Sequence, residues 1–215
     1  MEKGMKHQDR THNSRDILFL ARQFCVSLLK GGRCGSLPFH NAQHTLEVFD
    51  HVRVIGRDEG LSEKALEPAL LAALFHDVGN ASGFEGHEAQ SSAMATKFLE
   101  PWKYPKEALE MVQACIMATR MPQSPNTLLE KILCDADLFH LGTASFFSKN
   151  ALLREEWEHF HGWSYTERDW VLLNISFLEE HRYFTAFGQR ELEPVKQQHL
   201  AALRGRLDTE ITNEP

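Results

Sequence analysis

Apolar residues recur every three or four positions along almost the whole chain from residue 14 onward, and strict alternation is rare. That period follows one face of an α-helix and not the two-residue repeat of a strand. Leu and Ala supply most of these positions. The chain is therefore expected to be all-α: a compact helical bundle with additional helices at its C-terminal end. Its 215 residues suit one domain, since domains usually run to roughly 100–200 residues. That length can bury a core without disulfide or metal staples.

Caps and breakers place the elements. Ser14 caps a first helix over about 14–30, closed by Gly31 and Gly32. Residues 33–40 read as a loop. Asn41 caps a second helix that reaches about Glu59, with Gly60 just beyond it. Ser62 caps a third segment, in which Pro68 predicts a kink or a fresh start. Its apolar run over 70–75 is expected to be buried and to end near Gly79. A glycine-containing loop over 79–86 precedes a fourth helix over 87–99. Pro101 and Pro105 bracket a turn, and Pro105 suits the first position of the next helix, which ends before Pro122. Further helices are predicted over about 127–141, 143–160, 166–183 and 193–207. Residues 1–13 and 208–215 are expected to be flexible ends of a single domain over 14–207, because no repeat or composition shift divides it.

Charge and cysteine content narrow the partners. The formal net charge is -7, a poor match for a nucleic-acid backbone, which rewards clustered Lys and Arg. No apolar run approaches the ~18 residues of a membrane span. Residues 1–15 are polar, without an apolar signal stretch. The expectation is a cytoplasmic protein that engages neither nucleic acid nor membrane. Its four cysteines, Cys25, Cys34, Cys115 and Cys134, form no C-x-x-C pair and read as reduced packing residues. Trp157, Trp163, Trp170 and Phe177 read as core.

The chemistry-bearing residues stand out by placement. His76 and Asp77 directly follow the apolar run over 70–75. A lone buried carboxylate is costly and needs a partner or a metal, and the adjacent imidazole offers a nitrogen donor. Neighbours on a helix diverge by about 100°, so both reach one ion only if it lies between them, which a helix end near Gly79 makes easier. The pair alone is equally compatible with a capping Asp and a satisfied core His. Asp135 and Asp137 sit in the apolar run over 132–141. Two positions apart, they point to different faces, one to the core and the other to water or a helix end. His40 falls in the loop before Asn41 and His44 in the first helical turn after it, so both can look into one cleft.

Three segments then carry a resemblance. Phe39-His40-Asn41-x-x-His44-x-x-x-Val48, Leu71-Ala72-Ala73-Leu74-Phe75-His76-Asp77-Val78-Gly79 and Ile132-Leu133-Cys134-Asp135-Ala136-Asp137-Leu138 together resemble the signature of the HD-domain superfamily of metal-dependent phosphohydrolases. The similarity covers residues 38–141. It implies an HD-type helical domain with one divalent metal on His44, His76, Asp77 and Asp137, and Mn, Fe, Co, Ni, Zn or Mg suits that donor set. It implies hydrolysis of a small phosphomonoester or phosphodiester, a nucleotide or related phosphorylated metabolite. Monomer and homodimer both stay open, because the apolar C-terminal helices can pack on the core or on a second subunit. His40 matches the general acid of the cyclic-nucleotide phosphodiesterase branch. His87 and Glu88 match a His-Glu pair that serves as substrate contact, proton-transfer residue or second-metal ligand. Arg120, His140 and Arg154 are expected to meet substrate anions. Two departures matter. No histidine stands over 115–120, where two-metal members and HD-related oxygenases carry one, which favours a single metal. Asn80 occupies a position where some HD nucleotidases have an acid. A second reading, a catalytically weak regulatory module that binds metal or nucleotide, fits the same residues.

Overall fold

A computed structural model describes residues 14–81 and 83–212. Among them are nine α-helices and no strand: α1 (Ser14–Lys30), α2 (Ala42–Asp58), α3 (Glu63–Phe75), α4 (His87–Leu99), α5 (Lys106–Ala118), α6 (Leu128–Asp137), α7 (Phe146–Glu156), α8 (Glu167–Glu180) and α9 (Glu193–Thr212). Helix α3 organises the rest. Its residues from Leu66 to Phe75 are all buried, and a helix apolar on every side must be surrounded. It packs against α1, α2, α4, α5 and α6. Pro68 lies inside it, yet the helix runs on without the fresh start the sequence predicted. Proline at that position withholds a hydrogen bond from the carbonyl of Lys64, an exposed residue of the first turn, where solvent can replace the bond.

Two apolar clusters result. The larger joins α1 to α6 through residues such as Ile17, Val52, Leu70, Leu74, Ile116 and Leu133. The smaller joins α7, α8 and α9 through Phe146, Val171, Leu178, Leu200 and Leu203. Phe139 and Phe187 pack against both clusters, their ring centroids 6.1 Å apart.

Element boundaries follow the caps closely where side chains close them. Ser62 accepts from Ala65 N, Thr127 from Glu130 N and Thr166 from Asp169 N. Elsewhere the backbone departs from the expected α-form. Helix α6 stops at Asp137, and a 3₁₀ turn, Phe139–Gly142, replaces the expected continuation to 141. Pro105 is the N-cap of α5 and not its first helical residue. Helix α7 starts at Phe146, not at 143, and widens into a π-turn, Trp157–His161, closed by Gly162 at φ 68°. Helix α9 continues past 207 to Thr212 and follows a second π-turn, Gly188–Leu192.

All four cysteines are buried and free. Trp170 is buried, but Trp163, expected in the core, is 48% exposed. No helix among the described residues is long and apolar enough to cross a membrane. The expectation for residues 1–13 lies outside the described residues.

Candidate metal centre

Three chain segments converge on one point. The first is the entry to α2. Asn41 caps that helix, its Oδ1 accepting from Gln43 N at 2.8 Å and His44 N at 3.2 Å. Its Nδ2 donates to the carbonyls of Leu37 at 3.2 Å and Pro38 at 3.0 Å. One side chain thus fixes both the turn that carries His44 and the loop that carries His40. The second segment is the end of α3, where His76 is the C-cap and the chain tightens after Asp77 into a 3₁₀ turn, Val78–Ala81. Leaving α-geometry there lets adjacent side chains face one point. The third is the last residue of α6, Asp137.

Gly79 brings in a fourth segment. A Cβ there would lie 2.1 Å from the carbonyl oxygen of His87 and 3.0 Å from Ser91 N. Only glycine lets the first turn of α4 approach so closely. The Gly79 N–H donates to Ser91 Oγ at 2.9 Å.

The resulting distances are short. His44 Nε2 lies 3.2 Å from Asp137 Oδ1 and 3.6 Å from Asp77 Oδ2. His76 Nε2 lies 3.1 Å from Asp77 Oδ2 and 3.5 Å from Asp137 Oδ1. One donor atom each from His44, His76 and Asp77 falls within 4.8 Å of the others. His76 Nδ1–H donates to the Ala73 carbonyl at 2.8 Å, which directs the Nε2 lone pair into the cluster. His76 Nε2 and Asp77 Oδ2 are both buried without a hydrogen-bond partner. Orphaned polar atoms of this kind are costly, and a cation between them would satisfy both. The donors present therefore fit a divalent metal.

Electrostatics agree. Burial would raise the Asp77 carboxyl, but the charge of His76, with His87 and His40 behind it, holds it well below the usual carboxylate range. Burial likewise opposes ionisation of Asp137, and His44 and His76 overcome it. Burial would lower His76, yet Asp77 and Asp137 raise it well above its ordinary value.

The structure brings some of the expected helpers to the cluster and leaves others away. His87 Nδ1–H donates to the Phe84 carbonyl at 2.9 Å, and its Nε2 stands 3.3 Å from Asp77 Oδ1. Glu88 is buried behind it, 3.8 Å from Nδ1. The His40 ring meets that of His44 edge-on at 5.8 Å. His140 lies edge-on to Phe39 at 5.3 Å, and Phe39 is 4.9 Å from His44. Burial and then His44 push His140 down to about 3, so it stands beside the cluster as a neutral ring and not as a cation. Arg154 is spent elsewhere: it donates to Glu158 at 3.0 Å, Glu167 at 2.6 Å and the Tyr165 carbonyl at 2.7 Å. Arg120 is exposed, just beyond the end of α5. Asn80, 1% exposed, has neither amide atom in a hydrogen bond.

Two residues escaped the sequence reading. Gln123 Nε2 approaches Asp137 Oδ2 at 3.4 Å. Glu156 is fully buried and binds the Phe39–His40 dipeptide. The Glu155-Glu156 doublet gives no local signal for it, because two adjacent helical acids can share a solvent-facing side. Nothing nearby names its partner, 116 residues earlier.

Residues 41–142 match the family model of the HD domain, a family whose members are generally metal-dependent hydrolases. The fold extends beyond that match. The crystal structure of the Lin1889 protein from Listeria innocua superposes with a TM-score of 0.63 at 19% identity, covering 92% of this chain and 98% of that one. At this identity the likeness speaks for the fold alone. No curated protein matches the sequence.

Proposed function

We propose that this protein hydrolyses a small phosphoester, a nucleotide or related phosphorylated metabolite, using one divalent cation held by His44, His76, Asp77 and Asp137. The observation that carries this reading is the pair of buried, unpartnered donors, His76 Nε2 and Asp77 Oδ2, facing His44 Nε2 and Asp137 Oδ1 within 3.6 Å. Two imidazoles and two carboxylates suit Mn, Fe, Co, Ni, Zn or Mg. A cation there supplies Lewis acidity that activates water and neutralises phosphoryl charge. The chain's own residues do the rest. Ala73 fixes the tautomer of His76. His87, 3.3 Å from Asp77 Oδ1, orients that carboxylate and borders the space for substrate. His40, on the rim, supplies a proton to the leaving oxygen. The burial of the cluster supports a small substrate over a polymer. The four free, buried thiols support a reducing, cytoplasmic setting.

The test is metal analysis of the purified protein, followed by a screen of phosphomonoesters, phosphodiesters and nucleotides with Mn, Co, Ni and Mg. Bound metal and turnover that both vanish in Asp77→Ala are expected. Tight metal binding with no turnover of any ester would replace this reading with a regulatory metal- or nucleotide-binding module.

A further inference from the structure

Glu156 is the last residue of α7, at the point where the helix widens into its π-turn. Such turns recur at functional sites because they re-aim one side chain. The Glu156 side chain has no solvent exposure, so its carboxylate must be bonded by protein. The bonds it makes go to one dipeptide of the loop before α2. Oε2 accepts from Phe39 N at 2.8 Å and His40 N at 2.9 Å. Oε1 accepts from His40 Nδ1 at 2.5 Å.

The two backbone bonds alone would suffice to anchor the loop. The third bond does something different. A carboxylate only accepts, so His40 Nδ1 must carry the hydrogen. The other ring nitrogen, Nε2, is then the one that exchanges a proton with a reactant, and the ring already lies edge-on to His44. The two backbone bonds hold the carboxylate rigidly, and the carboxylate holds the ring: a base held in place by an orienting acid.

We propose that Glu156 is a positioning residue that fixes the tautomer and orientation of His40 so that Nε2–H faces the leaving oxygen of the substrate ester. The proposal rests on the phosphohydrolase reading above. In the step it describes, a water oxygen forms a bond to phosphorus as the bond from phosphorus to the leaving oxygen breaks. The electron pair of the broken bond stays on the leaving oxygen, which takes the Nε2 proton and departs as an alcohol. The water's proton passes to solvent, from which His40 is reprotonated, so ester and water give alcohol and phosphate.

Leaving-group dependence separates positioning from loop anchoring. A nitrophenolate leaves without protonation, whereas an alkoxide needs a proton. The measurement takes the metal-loaded full-length protein and compares kcat for a p-nitrophenyl ester and an alkyl ester of the class the wild type hydrolyses. In Glu156→Gln, turnover of the alkyl ester is expected to fall by about 10²-fold, the usual contribution of a general acid, with a far smaller loss for the nitrophenyl ester and unchanged metal content. His40→Ala should give the same signature, and the double variant should be no worse than His40→Ala alone. Equal losses on both esters, or additive losses in the double variant, would overturn the dyad and leave Glu156 as a loop anchor. Should Glu156→Gln fail to fold, His40→Ala decides: no leaving-group preference there also overturns it. A wild type that hydrolyses no ester with any metal brings down the phosphohydrolase reading and the dyad together. An active wild type with unchanged leaving-group dependence in both variants removes the dyad alone.

Discussion

The α1–α6 body and the α7–α9 lobe are built on opposite terms. In the body, apolar burial comes first and the polar cluster sits at the ends of helices that are otherwise hydrophobic, α3 above all. In the lobe the apolar cluster is small, and buried polar groups hold the elements: Glu156, Asn174, Thr185 and Lys196 are all buried. The lobe also meets the body through specific hydrogen bonds. Glu156 binds the loop of His40. Phe184 N, Thr185 N and Thr185 Oγ1 donate to the carboxylate of Asp135 at 2.9, 2.9 and 2.6 Å. Phe187 N donates to Glu59 at 2.9 Å. Under the proposed function, the body supplies the candidate cation donors, and the lobe, through Glu156, holds His40 beside them.

The largest effect belongs to the body. Asp77→Ala is expected to remove bound metal and lower turnover by at least ~10³-fold, read by elemental analysis and steady-state rates. Retained metal would break the assignment of the site to the body.

Asp135→Ala strikes the joint. It strips three donors of their acceptor, among them the buried Thr185 N–H and hydroxyl, and should cost about 2–4 kcal/mol in urea unfolding. Burial pushes the Asp135 carboxyl up to about 6 against those bonds. A loss below about 0.5 kcal/mol, the level of an ordinary surface change, would mean the lobe does not depend on this clamp.

Gly79→Ala forces α4 away from the ligand turn. A cost of about 1–3 kcal/mol is expected from the steric conflict. Metal affinity should weaken as well, seen as a smaller rise in melting temperature on adding Mn.

His181, in the lobe, sharpens the comparison through pH. Both its ring nitrogens are buried without a hydrogen bond, and burial, then Lys196, pushes it down to about 4. The unfolded residue titrates near 6.5, so between these values the unfolded chain binds more protons. Stability should therefore be full above about 6.5 and fall as pH drops toward 4, by on the order of 2 kcal/mol after allowing for partial exposure. His181→Phe should flatten that part of the denaturation profile; an unchanged slope would show that the lobe does not hold this ring neutral.

Arg154→Ala should do least. Its partners Glu158 and Glu167 are 39% and 61% exposed, and such pairs contribute about 0.5 kcal/mol. KM should not change. A tenfold rise would place Arg154 at the substrate and give the lobe a binding role.

The same division explains what could be read from the sequence. Fold class and most helix starts were legible because their signals are local: Asn41 and Ser62 cap the helices they precede. The candidate ligands were legible only together, since His76 and Asp77 alone fit a cap and a core histidine, and the resemblance of three segments to the HD signature joined them to His44 and Asp137. Glu156, Gln123 and the partners of Asp135 were not legible, because each acts on a residue from another element and leaves no periodic mark. The π-turns after α7 and before α9 escaped for a related reason, since their apolar spacing stays close to that of an α-helix. Arg154 was read from its aromatic and charged neighbours as a pocket residue; its bonds to Glu167 and the Tyr165 carbonyl, from beyond its own helix, leave no periodic mark.

The central claim is that one divalent cation sits among His44, His76, Asp77 and Asp137. Anomalous scattering from crystals of the Mn-loaded protein tests it most directly. The account predicts a single strong peak within bonding distance of His44 Nε2, His76 Nε2 and the two carboxylates. A peak elsewhere, or none at full metal loading, would contradict it.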